Sequence, residues 1–234
     1  VLIAAAVCPH PPLLIPAATG VPGPGPGAGQ LTRLRAACHQ AVATLSAAAP
    51  EMIVVVGGAG RTGEYPPQTP GSLRRYGVPW GDDQAPALPL SLTIGRWLLT
   101  QDANVSGAAW WGIAADASPA ECLELGEKIA DLAPRVALLA MGDGPGRRAR
   151  GAPGARDPAA DRYDEAVAAA MAAPSPGALA ALDPAADADL FVAGRAAWQV
   201  LAGAAGRPEF TATLAYAAAP FEVSYVVATW RRAH

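Results

Sequence analysis

Apolar positions in this chain gather in short uncharged runs rather than alternating with polar ones. The segments 1–7 (VLIAAAV), 52–57 (MIVVVG) and 136–141 (VALLAM) have no polar face, the pattern of strands buried on both sides in a sheet covered by helices. Elsewhere the apolar residues recur at helical spacing. Leu31, Leu34, Cys38, Val42 and Leu45 mark a helix over 31–49, and Leu88, Leu92, Trp97 and Leu99 mark a second over 88–99, opened near Pro89. Ser118 and Pro119 supply an N-cap and a first-turn proline for a helix ending near residue 132, and Asp157-Pro158 opens another through 171. A short helical piece at 178–182 leads to a long helix over 186–204, and further strands are expected at 105–113, 210–217 and 223–230. Trp110 and Trp111 are adjacent, so on a strand they face opposite sides and at most one enters a pocket. These pieces predict a single α/β domain over residues 1–234, with a central, mostly parallel sheet and helices on both faces.

The first strand is the natural place to look for chemistry. It stops at Cys8-Pro9-His10-Pro11-Pro12, where three prolines remove backbone donors and hold the chain extended around His10. A histidine held stiffly at the C-terminal end of a buried strand stands where open α/β sheets place their ligands. It is suited to a metal-ligand or base role, or simply to hydrogen bonding a nearby carbonyl.

The connecting segments qualify this picture. Residues 17–30 (including VPGPGPGAG) form a Pro/Gly loop that reads as a solvated insertion or as a flap over the cleft, and 144–157 (including RRARGAPGAR) reads as a second flexible loop whose arginines suit an anion if held in place. Gly58, Gly60 and Gly63 satisfy a G-x-G-x-x-G spacing after a strand, with Asp82 and Asp83 about twenty residues on. A dinucleotide site needs a helix opening at the third glycine, and Pro66, Pro67 and Pro70 forbid one. The match is therefore read as accidental.

Composition and charge narrow the classes. Across 234 residues, 52% hydrophobic content fills a sizeable core, and a net charge of −3 with scattered arginines lacks the footprint of a nucleic-acid binder. No apolar run approaches the roughly 18 residues of a membrane span, and the apolar start lacks a basic leader, so a cytoplasmic protein is expected. Cys8, Cys38 and Cys122 are far apart and odd in number, so they are expected to be core thiols. His39 is expected at a helix edge; His234 stands at the end of the sequence. Abundant alanine blurs helical periodicity, because alanine fits either face.

Taken in order, CPHPPLLIP at 8–16, EMIVVVGGAG at 51–60, LLAMGDGPG at 138–146, DPAADRYDEAV at 157–167, VAGRAAWQVLAGA at 192–204 and FEVSYVVATW at 221–230 resemble the class III extradiol ring-cleavage dioxygenases, the LigB-like fold shared with the Memo proteins. The resemblance covers most of the chain and implies that fold. In active members, it implies two strand-end histidines and a late glutamate holding Fe(II), with a further histidine in a Gly-Asp-x-Ser-His turn as acid/base. His10 matches the first ligand. The second ligand position falls on Gly57-Gly58-Ala59-Gly60, which has no histidine. Gly142-Asp143 is retained, but the Ser-His pair is replaced by Pro145-Gly146, and Glu222 stands roughly where the late carboxylate belongs.

The expectation is accordingly a divergent homologue without ring-cleavage activity that uses the old cleft, lined by Gly58, Ala59, Gly146 and Glu222, for a small molecule or a protein partner. His10 and Asp143 are its candidate catalytic groups. No cofactor is expected; Fe(II) or another divalent metal would bind only if the site still functions, through the residual candidates His10 and Glu222. The alternative is an active oxidoreductase or hydrolase with a rearranged site around His10, Asp143 and Glu222. A third reading is a subunit of a larger assembly. Neither nucleic acid nor membrane is an expected partner, and the resemblance implies a homodimer.

Overall fold

Four apolar runs become the parallel centre of one sheet because none of them has a polar face to give to water. The computed structural model describes residues 1–19, 27–83, 87–105, 107–148, 157–206 and 208–233. In order, the elements are β1 (Leu2–Cys8), α1 (Ala28–Ala47), β2 (Met52–Ala59), β3 (Gly63–Tyr65), α2 (Leu90–Leu99), β4 (Ala109–Ala114), α3 (Pro119–Ala130), β5 (Val136–Met141), α4 (Pro158–Ala172), α5 (Pro176–Ala180), α6 (Pro184–Leu190), α7 (Arg195–Ala205), β6 (Phe210–Ala218) and β7 (Tyr225–Arg232). The seven strands lie in the order β3-β4-β2-β5-β1-β7-β6. β4, β2, β5 and β1 are mutually parallel, while β3, β7 and β6 pair antiparallel to their neighbours at the two sides.

Each face of the sheet has its own core. Ala5, Val7, Val54 and Val56 pack with Ile129, Val167 and Trp198 of α3, α4 and α7. Ala4, Ala6, Ile53 and Val55 pack with Leu34, Val42, Leu92 and Leu98 of α1 and α2. Trp111 joins the first core and Trp110 the second, as adjacent strand positions require. Cys8, Cys38 and Cys122 are buried free thiols. No helix among the described residues is long and apolar enough to cross a membrane.

Several elements differ from the sequence expectation. The glycine-rich segment after β2 leads into the short strand β3, which pairs with Trp110 and Trp111 on β4, so no helix follows the G-x-G-x-x-G run. The helix expected over 186–204 is two helices. Phe191 takes a left-handed conformation at φ 53°, ending α6, and α7 begins only after Gly194. Alanine-rich flanks hide this break from periodicity. The 17–30 loop is interrupted at both ends by structure: Pro16–Thr19 form a 3-10 turn and α1 already begins at Ala28, while 20–26 lie outside the described residues. The described ends of the 144–157 loop are anchored rather than solvated. Arg148 is buried against Asp161, Asp164 and Ser224, and Asp157 caps α4; residues 149–156 lie outside the described residues.

The position of α7 depends on the absence of side chains. A Cβ on Gly126 of α3 would overlap the carbonyl oxygen of Val200, and one on Gly203 of α7 would overlap that of Leu123, so the two helices meet backbone to backbone. At the other end of α7, a Cβ on Gly142 would lie 2.5 Å from Cα of Gly194. Gly203→Ala is expected to destabilise the protein by about 3 kcal/mol, since overlap with fixed backbone outweighs the roughly 1 kcal/mol helix-propensity gain of alanine. Urea unfolding checks this, and an unchanged midpoint would mean that α3 and α7 do not touch in this way.

Candidate functional site

The parallel strands all end on one side of the molecule, and there the starts of α2 and α7 close over the ends of β1, β2 and β4. They enclose a cleft of about 390 Å³ whose lining includes His10, Gly58, Ala59, Pro89, Asp187 and Arg195. This is the carboxyl edge of the sheet, the usual location of ligands in open α/β folds.

His10 is positioned by its backbone. Its N–H donates to Oδ1 of Asp143 at 2.8 Å, and the ring Nδ1 stands 3.6 Å from the same oxygen, too far for a hydrogen bond. The chain beyond it is held by α1, where Arg35 donates to the carbonyls of Leu13 and Leu14 at 2.7 and 2.8 Å. Asp143 follows directly from β5, and the Gly142 N–H donates to the Cys8 carbonyl at 3.0 Å. His10 and Asp143 are thus brought together by two parallel neighbours, β1 and β5. The His10 Nδ1 atom is buried and has no hydrogen-bond partner.

The opposite wall was not anticipated from the sequence. Arg195, only 1% exposed, pairs through Nε with Asp187 Oδ2. Its other nitrogens donate to the carbonyls of Ala115 and Ala117 at 2.7 and 3.0 Å and to Oε1 of Gln199 at 2.7 Å. One guanidinium therefore ties α6, α7 and the β4–α3 turn together, and Gln199 extends the network to the carbonyls of Ala180 and Leu182. Asp187 keeps its second oxygen, Oδ1, buried without a hydrogen-bond partner. Burial raises the Asp187 carboxyl above the ordinary carboxylate range, and Arg195 opposes that shift. The Tyr163 hydroxyl is likewise buried and unpaired, and its pKa is pushed well up by burial and by the Asp187 charge. A sequence signal for this wall existed: Arg195 and Gln199 are four residues apart inside an otherwise apolar stretch, where buried polar side chains must find each other.

The remaining candidates are distributed as follows. Gly58 and Ala59 line the cleft. Gly146 does not; its N–H donates to the Leu190 carbonyl at 2.9 Å. Glu222 lies in the turn before β7, exposed, with φ 60°, and is not among the cleft residues. His39 is an exposed residue of α1 with its ring 6.0 Å from that of Trp97, and its pKa is lowered by partial burial and by Arg35. His234 lies outside the described residues.

The donor set does not fit the iron centre that the resemblance implies. Among the described residues no three His, Cys, Asp or Glu side chains converge as a metal-binding group. The end of β2 offers only Gly58, Ala59 and Gly60 where a second imidazole would be needed. The cleft lining does include one imidazole, His10, one carboxylate, Asp187, and apolar surface from Pro89, Val192 and Ala193.

Arg195→Met is expected to lower stability by about 3 kcal/mol at neutral pH, because it leaves Asp187 charged and unpaired in a buried setting. The Asp187 pKa is already raised in the fold, so the folded state holds this proton more tightly than the unfolded chain. The loss should therefore shrink as pH falls and Asp187 becomes neutral. Urea titrations at neutral and acid pH test this, and an equal loss at both would assign the effect to packing.

No family model matches the chain, and no curated protein matches it. Among solved structures, the crystal structure of the uncharacterized protein JW3007 from Escherichia coli K12 is similar over 97% of this chain and 99% of that one, with a TM-score of 0.54 and 17% sequence identity. At that identity the likeness is one of fold alone.

Proposed function

We propose that this chain is a divergent, LigB-like relative of the class III extradiol dioxygenases that binds a small polar molecule in the strand-end cleft without a family-type iron centre. One observation carries the reading. Two buried polar atoms, His10 Nδ1 and Asp187 Oδ1, have no hydrogen-bond partner, and both belong to residues lining the same cleft. Leaving such atoms unpaired costs about 1–3 kcal/mol each, and a ligand whose hydrogen-bonding groups reached them would remove that cost. The ordered motifs at 8–16, 51–60 and 138–146 support the family assignment, and the donor set around His10 argues against ring cleavage. A cytoplasmic setting is supported by three buried cysteines that remain thiols.

A second reading, an enzyme using His10 as acid or base, draws on the approach of Asp143 to the imidazole. It needs no metal, and Glu222 has no part in it.

Protein purified without chelator is expected to contain substoichiometric iron, to show no saturable 1:1 binding on Fe(II) titration, and to leave catechol unchanged. Stoichiometric tight iron with catechol turnover would contradict the proposal. His10→Ala should leave the thermal midpoint nearly unchanged while weakening ligand binding or, on the second reading, abolishing turnover. A large loss of stability with no functional effect would make His10 structural.

A further inference from the structure

The sequence scatters its arginines, and the fold gathers three of them at the end of the sheet opposite the His10 cleft. Arg135 immediately precedes β5, and Arg231 and Arg232 end β7, which runs antiparallel to β1 and so finishes beside that strand's start. Together they line a depression of about 880 Å³ that also touches Ile3, Ala48 and Thr211 and has no carboxylate among its lining residues. Arg135 is held in place. Its Nε and Nη2 donate to the carbonyls of Ala49 and Ala48 at 3.1 and 2.5 Å, and its Nη1 has no partner among the described residues. Those carbonyls follow the end of α1, so Arg135 covers the negative end of that helix, which would otherwise repel an anion. Arg231 and Arg232 are exposed, and among the described residues their side chains make no hydrogen bond and no ion pair. The nearby acidic residues do not neutralise them. Glu51 and Glu209 meet this edge through backbone bonds, to the Arg135 carbonyl and from the Ala233 N–H, while Glu127 and Asp131 border a separate groove that shares Arg232.

We propose that this depression binds a small polyanion, a molecule carrying two or more phosphate or carboxylate groups. Three permanent positive charges facing one concavity, in a chain of net charge −3, repel one another and concentrate anions there. Each guanidinium presents a planar fork that matches phosphate or carboxylate oxygens two at a time. A monoanion neutralises one of the three charges, whereas a polyanion can engage the fixed Arg135 and the exposed pair together. The space suits such a ligand, since the depression has more than twice the 390 Å³ of the His10 cleft. A nucleic acid would need a longer basic track than three arginines. The site lies at the other end of the strands from the His10 cleft and does not depend on the function proposed there.

Calorimetric titration of inorganic pyrophosphate and of citrate at low ionic strength, with backbone amide shifts followed in parallel, tests the proposal. Saturable single-site binding of at least one probe is expected, and the tighter one identifies the preferred group as phosphate or carboxylate. It should move the amides of Arg135 and residues 231–233 and leave those of residues 58–60 and 193–196 in place. Added salt should weaken it. Arg231→Gln with Arg232→Gln in one chain removes two exposed charges, so affinity should fall by about tenfold or more while the unfolding midpoint stays unchanged. Arg33→Gln, a charge removed from the exposed face of α1, should leave binding as it is. No saturable binding of either probe, binding that the double variant leaves intact, or shifts confined to the His10 cleft would overturn the assignment.

Discussion

The cleft exists because glycines let helix α7 meet helix α3 and the chain just after β5 backbone to backbone. Gly126 and Gly203 let α3 and α7 meet through their backbones, and Gly142 lets the end of β5 approach Gly194 at the start of α7. This brings Arg195, in the first turn of α7, under the β4–α3 turn, where it donates to two main-chain carbonyls while pairing with Asp187. Burying a guanidinium is unfavourable unless its donors are matched, so once α7 is in place its arginine fixes α6 as well. The wall of the cleft opposite His10 follows from that sequence of constraints.

Two consequences bear on function. The strand framework tolerates change at its ends, since the buried runs of β1, β2 and β5 pack both faces of the sheet whatever stands in the turns. The residues at the end of β2 can therefore vary without loss of the fold. The cleft is chemically asymmetric: His10, whose backbone N–H is held by Asp143, on one side, and a carboxylate with one oxygen tied to Arg195 and the other unused on the opposite side. On the proposed reading such a pair would recognise hydrogen-bonding groups by direction, with Pro89, Val192 and Ala193 supplying apolar contact.

How legible this was in the sequence depends on the kind of signal. Uncharged runs place strands well: β5 occupies Val136–Met141 as its apolar run predicts, and Ser118 with Glu121 forms the capping box that starts α3. His10 could be placed at a strand end because prolines act locally. The pairing of β3 could not be read, since three residues carry no periodicity and their partner lies on β4. Nor could the α6–α7 break, because alanine satisfies both faces and the stop depends on the conformation of Phe191. Asp187 and Arg148 were missed for a related reason. Each has its partner on another element, and neither a charge within a helix nor an arginine in a glycine-rich loop reveals from its neighbours that it is buried.

The central claim is that the strand-end cleft between His10 and Asp187 is the ligand-binding site. It is tested most directly by mapping backbone amide shifts while small polar molecules are titrated into the protein. The account predicts that binders move the amides of residues 58–60, His10 and 193–196 together, and that Asp187→Asn weakens this response. Shifts confined to other surfaces, or binding indifferent to Asp187→Asn and His10→Ala alike, would contradict it.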